Sequence, residues 1–401
     1  MRRPGLLTVF LSGLGLLAAC QEKLTTPTDC PALCPGNSLV ILDTVISATP
    51  GRDSSYTGYV GANEVPALLV SNGISAGEAR AFATFPRRSD SVLIGGTQTL
   101  VTIDSVALTA RLVARDTAAK ELKVFYYRIA PDLDSTVTLA DVDAMMTPET
   151  LIDSLVVSDT LKTGLLRLVL PAGKLGRLIG TEGDSGRFGV GLKVRALEAT
   201  GIRLGSTFSN EGGPVFVGYG RAATTDTALQ KQTLTIPAEK SNYVIAFPPV
   251  TENNRLIVGG KLGTRTILRF TIPRLIRDSA SVLRATLELT PAVPIPGLRN
   301  DPILLQVRGV LVDLGAKSPS LTALVANGSS KANATDVQRI EIFPIVSAWF
   351  GPGNTAPTTL FMGVVPEGGS FGRPEFITSR DPVNGPRLRI TYALPSRPGH
   401  P

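Results

Sequence analysis

The chain has 401 residues, of which 43% are hydrophobic and 18% charged, a balance that supports packed domains rather than wholesale disorder. Its one histidine, His400, excludes a Ser-His-Asp triad, a Cys-His dyad and a histidine-rich metal centre within the fold. The net charge of +7 is scattered along the chain with no run of four basic residues, which argues against nucleic acid as a partner.

The N-terminus runs from Met1-Arg2-Arg3 through an apolar stretch over 6–17 to Leu17-Ala18-Ala19-Cys20. A positive start, a short apolar region and small residues before a cut predict a signal peptide over 1–19. The apolar region is about 12 residues, too short to cross ~30 Å of hydrocarbon as a helix. Leu17-Ala18-Ala19-Cys20 resembles the bacterial lipobox, which implies a diacylglycerol thioether on Cys20 and anchoring in a lipid bilayer. Gln21 after the lipidated cysteine implies the outer membrane by the same resemblance. Residues 20–38 read as a tether, and in an oxidising envelope Cys30 and Cys34 are candidates for a disulfide that closes a very short loop. A zinc site there lacks two further ligands.

The rest of the chain is similar to itself. Leu68-Leu69-Val70-Ser71-Asn72-Gly73 matches Leu256-Ile257-Val258-Gly259-Gly260, and the run from Arg80 to Phe85 matches that from Arg265 to Phe270, each an Arg-x4-Phe. The segments over 105–112 and 281–289 correspond, and the stretch around Gly213-Pro214 to Tyr219 matches Gly385-Pro386 to Tyr392. Four landmarks in one order argue duplication.

Within each copy the pattern is that of strands. Residues 265–272, 285–289 and 387–392 alternate apolar with polar or small residues, and Leu388, Ile390 and Tyr392 share one face. Gly and Pro punctuate these runs at turn spacing. Over 138–155, Leu139, Val142, Met145 and Met146 fall at helical spacing, which predicts a short inserted helix. The expected architecture is all-β: two tandem jelly-roll-type β-sandwiches over 39–221 and 238–393, a polar linker over 222–237 and a tail over 394–401.

The order Leu-Ile-Val-Gly, Arg-x4-Phe-x2-Pro and Ala-x-Leu-x-Leu resembles the DNRLRE domain, and Phe343-Pro-Ile-Val-Ser-Ala-Trp349 and the closing Gly-Pro-x-Leu-x-Ile-x-Tyr392 continue the match. The second copy carries it over about 250–392 and the first more loosely over about 55–220, without a Trp at the position of Trp349. The relatives include alginate-binding carbohydrate-binding modules, so the resemblance implies a jelly-roll module on secreted or surface proteins. It also implies a packing role for Trp349, placed by alternation on one face of a strand with Phe343, Ile345 and Ser347.

Candidate chemistry is sparse. Tyr56, Tyr59 and Tyr243 lie near strand starts and are candidates for exposed rings, and Tyr126-Tyr127 must split across the two faces of a strand, leaving one ring accessible. Asp132 and Asp134, Asp141 and Asp143, and Glu182 and Asp184 form carboxylate clusters in which a structural calcium is the only cofactor to weigh, against helix-start and turn roles. Gly189-Val190-Gly191 lacks the strand–helix setting of a dinucleotide site. No conspicuous pair of carboxylates marks a glycosidase. The expectation is a non-catalytic envelope lipoprotein that binds polysaccharide or another envelope component, with a structural or assembly protein recognising protein partners as the alternative.

Overall fold

The computed structural model describes residues 40–87, 91–134, 136–178, 186–223, 229–249 and 254–394. Cys20, Cys30, Cys34, Glu182 and Asp184, with the signal, the tether and residues 395–401, lie outside the described residues, and Leu394, expected to open the tail, ends the last strand.

The chain opens with β1 (Val40–Ser47) and β2 (Ser54–Thr57). It continues through β3 (Ala67–Asn72), β4 (Glu78–Phe85), β5 (Ser91–Ile94), the long β6 (Thr97–Arg115) and β7 (Lys123–Ile129). A short helix α1 (Leu139–Met145) precedes β8 (Leu151–Val156), β9 (Gly164–Pro171), β10 (Phe188–Arg195), β11 (Thr200–Gly205) and β12 (Val215–Ala223). Strands β13 (Leu229–Pro237) and β14 (Lys240–Ala246) lead into β15 (Arg255–Ile257) and β16 (Thr264–Arg269). Helix α2 (Arg274–Ser279), β17 (Ser281–Leu289), β18 (Ile303–Val310), β19 (Ser320–Ser330) and β20 (Gln338–Glu341) follow. Helix α3 (Phe343–Ser347), β21 (Thr359–Val365), β22 (Glu375–Ile377) and β23 (Arg387–Leu394) complete the order. The fold is all-β, as the alternation predicts.

The repeat is visible strand for strand. In the first copy β4, β10, β7 and β8 are successive antiparallel neighbours; in the second β16, β21, β18 and β19 are. The opposing layers are β12-β6-β9 and β23-β17-β20. The small pair β15–β22 matches β3–β11. Two hydrophobic cores result, one built from Val65, Leu69, Leu112, Phe188 and Phe216, the other from Leu268, Leu287, Val307, Trp349 and Ile390.

The boundaries differ from those expected. β1 pairs with β23, Val40 opposite Leu394, and β2 pairs with β16, so residues 40–57 complete the second lobe. Reciprocally, β13 pairs with β12 and β14 with β4, so residues 229–246 complete the first. Each copy's leading two strands have been given to the other copy's sheets. The division at 39–221 and 238–393 is therefore corrected: the first lobe spans about 65–246 and sits as an insertion within the second. The expected linker over 222–237 holds the end of β12 and all of β13. A one-dimensional pattern marks which residues face a core, but not which sheet edge receives the strand.

The lobes are also bonded to each other. Leu298 and Phe371, from the second copy, are buried in the first core. Arg203 on β11 donates to Asp301 at 2.9 Å, and the Tyr243 hydroxyl donates to the Gly368 carbonyl at 2.8 Å.

Two local expectations need correction. The inserted helix is only α1, whose start is fixed by a capping box between Thr138 and Asp141; Pro148 to Thr150 form a 3₁₀ turn and 151–156 is strand. Trp349 is 2% exposed, as expected, but 343–347 is helix α3 rather than strand, with Pro344 in its first turn, where a missing N–H costs nothing. No helix among the described residues is long and apolar enough to cross a membrane.

Candidate functional site: a sheet-face groove in the first lobe

Alternation along β4, β7 and β10 sorts their side chains. Ala79, Ala81, Ala83 and Phe85 of β4, Val124 and Tyr126 of β7, and Phe188, Val190, Leu192 and Val194 of β10 enter the first core. The opposite face therefore carries Arg80 and Phe82, Phe125, Tyr127 and Ile129, and Gly189, Gly191, Lys193 and Arg195. Part of this face is covered by α1, whose Val142 packs with Met146 against Phe82, Ile129 and Val244. Gly191 makes that seat possible, since a Cβ there would lie 2.3 Å from the Met146 methyl.

The uncovered part is a groove of about 460 Å³ lined by Asn72, Arg80, Phe125, Tyr127, Lys193, Val194 and Arg195. Register sets Phe125 opposite Lys193 and Lys123 opposite Arg195. Lys193 Nζ lies 5.6 Å from the centre of the Tyr127 ring, within cation–π range. Seated α1 brings Asp143 between two cations, with its Oδ1 at 2.8 Å from both Arg80 Nε and Lys193 Nζ. Burial pushes the Asp143 carboxyl up, but the hydrogen bonds from Lys193 and Arg80 outweigh it and hold the group below its ordinary range. Arg80 is further fixed by the Ser71 carbonyl at 2.7 Å and by Glu78 at 2.9 Å. Arg195 and Lys123, directly opposed, have no carboxylate partner among the described residues, and like charges so placed repel until an anion or water separates them.

The matching face of the second lobe is closed. Arg265, at the position of Arg80, makes a two-pronged ion pair with Glu367 at 2.7 and 2.9 Å. Its guanidinium sits 4.2 Å from the centre of the Tyr59 ring, which in turn meets Phe361 edge-on. The Tyr59 hydroxyl donates to the Ala316 carbonyl at 2.7 Å, and burial pushes its phenol pKa up. The depression left there is about 10 Å³, the size of one water.

Of the residues singled out in the sequence, Tyr126 and Tyr127 split as expected, the first buried and the second in the groove. Tyr243 is fully buried, so its expected exposure is corrected: β14 turns it into the first core. Tyr56 and Tyr59 pack on the second lobe. The calcium candidates among the described residues have other partners. Asp132 binds Arg187 at 2.6 Å, Asp134 accepts from Thr136, and Asp141 caps α1. No group of three potential metal ligands occurs among the described residues. Lys193 and Arg195 carried a readable signal, the alternation Gly-x-Gly-x-Lys-x-Arg from 189 to 195.

No family model matches the chain, and no curated protein does. Among solved structures, the N-terminal CBM22-1-CBM22-2 tandem domain of Paenibacillus barcinonensis Xyn10C covers 87% of this chain and 99% of its own, at 12% identity and a TM-score of 0.16. The C-terminal domain of the Streptococcus pyogenes antigen I/II-family protein AspA covers 83% and 92%, at 9% identity and a TM-score of 0.15. Overlaps this low carry no argument about function.

Proposed function

We propose that this chain is a non-catalytic, lipid-anchored outer-membrane protein that binds polysaccharide through the groove of its first lobe. One observation carries the reading: an open sheet face sets Tyr127 and Phe125 among Arg80, Lys193 and Arg195, while the matching face of the second lobe is filled. An aromatic platform supplies apolar area to a sugar ring, and the surrounding donors fix its hydroxyl or carboxylate groups. Anchoring rests on Leu17-Ala18-Ala19-Cys20.

Native gels cast with a neutral or a uronate-containing polysaccharide test the binding. Retardation of the wild type that is lost in Tyr127→Ala supports the groove; equal mobility of both proteins in every gel removes it. For the anchor, Cys20→Ser is expected to leave the membrane fraction or remain uncleaved, and unchanged fractionation would defeat that part. A second reading, recognition of an envelope protein, is favoured by β1, an edge strand among the described residues, whose Val40, Ile41, Leu42 and Val45 are exposed and whose backbone can accept an added strand.

A further inference from the structure

Between the lobes lies a second cleft, of about 310 Å³ and separate from the groove. Its walls are Ile245 and Phe247 at the end of β14, Thr57 of β2, the turn from Gly259 to Leu262, and Arg373. The turn is tight: Gly259 and Thr264 exchange both main-chain hydrogen bonds, and Gly259 and Gly260 adopt φ of 87° and 83°. Those left-handed positions suit glycine, and the reversal they make carries Lys261 into the junction.

Lys261 is set unusually for a lysine. Its Nζ lies 5.6 Å from the centre of the buried Tyr243 ring, and no carboxylate reaches it among the described residues. Burial alone pushes its ammonium down to about 8. The other charged groups around the cleft do not compensate it. Arg373 lies 5.0 Å over the Phe247 ring and donates to the Pro248 carbonyl at 3.2 Å. Glu375 is shared between Arg255 at 3.6 Å and Arg373 at 4.0 Å and makes no ion pair with Lys261. The Tyr243 hydroxyl is committed to the Gly368 carbonyl and is no acid at working pH, because burial raises its pKa.

We propose that this cleft is an oxyanion site, in which Lys261 and Arg373 bind a carboxylate or phosphoryl group whose organic part rests on Phe247 and Ile245. A cation half-withdrawn from water without a counter-charge is costly, and a bound anion removes that cost by pairing with it. The aromatic and aliphatic walls lower the polarity around the pair and so strengthen it. The site is independent of the groove, since it shares no residue with it.

The test uses the mature chain and two probes, acetate and inorganic phosphate. Nitrogen-edited NMR of the lysine side chains follows the Lys261 titration with and without each anion. An anion that binds only the protonated form at tenfold excess over its Kd raises the midpoint by about one pH unit. The thermal midpoint is expected to rise with the same anion, and that rise to vanish in Lys261→Met and shrink in Arg373→Gln. A response to acetate alone assigns a carboxylate ligand, and one to phosphate alone a phosphoryl group. A Lys261 midpoint unmoved by both anions in the wild type overturns the proposal whether or not the variants fold. So does thermal stabilisation that persists in Lys261→Met. Loss of polysaccharide retardation in Tyr127→Ala leaves this result untouched, so the two sites succeed or fail separately.

Discussion

Arg80 and Arg265 begin the same Arg-x4-Phe run and sit on the same face of matching strands, yet one lines an open groove and the other is sealed. The difference lies in what each lobe receives from the other copy. β2 arrives beside β16 with Tyr56 on it and Tyr59 two residues beyond its end, and the Tyr59 ring covers the Arg265 guanidinium. β14 arrives beside β4 with Asn242 and Val244 at the outer face; Val244 packs under α1 and leaves the rest of the sheet uncovered. A repeated scaffold is thus left open on one face and sealed on the other by the side chains of an exchanged strand. The sheets themselves kept their order.

The largest effect expected from breaking this arrangement is removal of residues up to 60. It deprives β23 and β16 of one neighbouring strand each and leaves them as new sheet edges, so the second lobe should unfold while the first loses much less. Trp349, the only tryptophan, reports on that lobe directly. Its emission should be blue-shifted in the full chain and red-shifted after truncation, and a blue-shifted spectrum in both would contradict the strand exchange.

Next in size, Trp349→Ala should cost about 3–5 kcal/mol in denaturant unfolding of the second lobe, as large aromatic truncations in cores do. Tyr127→Ala should weaken polysaccharide binding by roughly tenfold or more, which is about 1.4 kcal/mol, with little change in stability because the ring is only partly covered. Tyr59→Ala is the most informative variant. It should cost about 1–2 kcal/mol from lost ring contacts and uncover Arg265, raising the binding stoichiometry from one to two if the faces are equivalent beneath. Unchanged stoichiometry would show that the groove needs Lys193 and Arg195 as well.

The smallest effect concerns a further difference between the lobes. Arg269 stands where the first copy has Thr84, and it is gripped by Asp313, whereas the Thr84 hydroxyl has no partner among the described residues. The hydrogen bond from Arg269 lowers the Asp313 carboxyl from 3.8 to about 2. A depressed carboxyl adds stability that is fully present above its unfolded value and is lost as pH falls through the folded one. Asp313→Asn should therefore cost about 1 kcal/mol at neutral pH, allowing for solvent screening, and flatten the stability profile between about pH 5 and 2.

Much of this was open to a reader of the sequence alone. Alternation marked β16, β17 and β23, the Arg-x4-Phe landmarks fell on equivalent strands, and Tyr126-Tyr127 had to split. The helix at 343–347 was misjudged because Ile345 and Trp349 are buried at a spacing that strand and helix share, and the better signal was Pro344 after Phe343. The exchange was hidden for a deeper reason. Val40 meets Leu394 only because β23 offers a free edge, and edge availability is a property of the assembled sheet. The groove was partly legible, since Lys193 and Arg195 alternate with core residues, but the seat of α1 over Gly191 decides where the face stays open.

The pairing of β1 with β23 also orders events in time. Thr44 and Tyr392 meet across 348 residues of chain, so the first strand made must wait for the last. The inserted lobe holds all its strands by residue 246 and can collapse around most of its core early, whereas the β1-β23-β17-β20 sheet of the second lobe cannot be completed until the C-terminal strand exists. Until then the apolar strand Val40–Ser47 is unpaired and open to wrong partners, as exposed edges are during slow long-range assembly. A folding reaction with an early phase silent at Trp349 and a late one that buries it is the kinetic signature of such a chain.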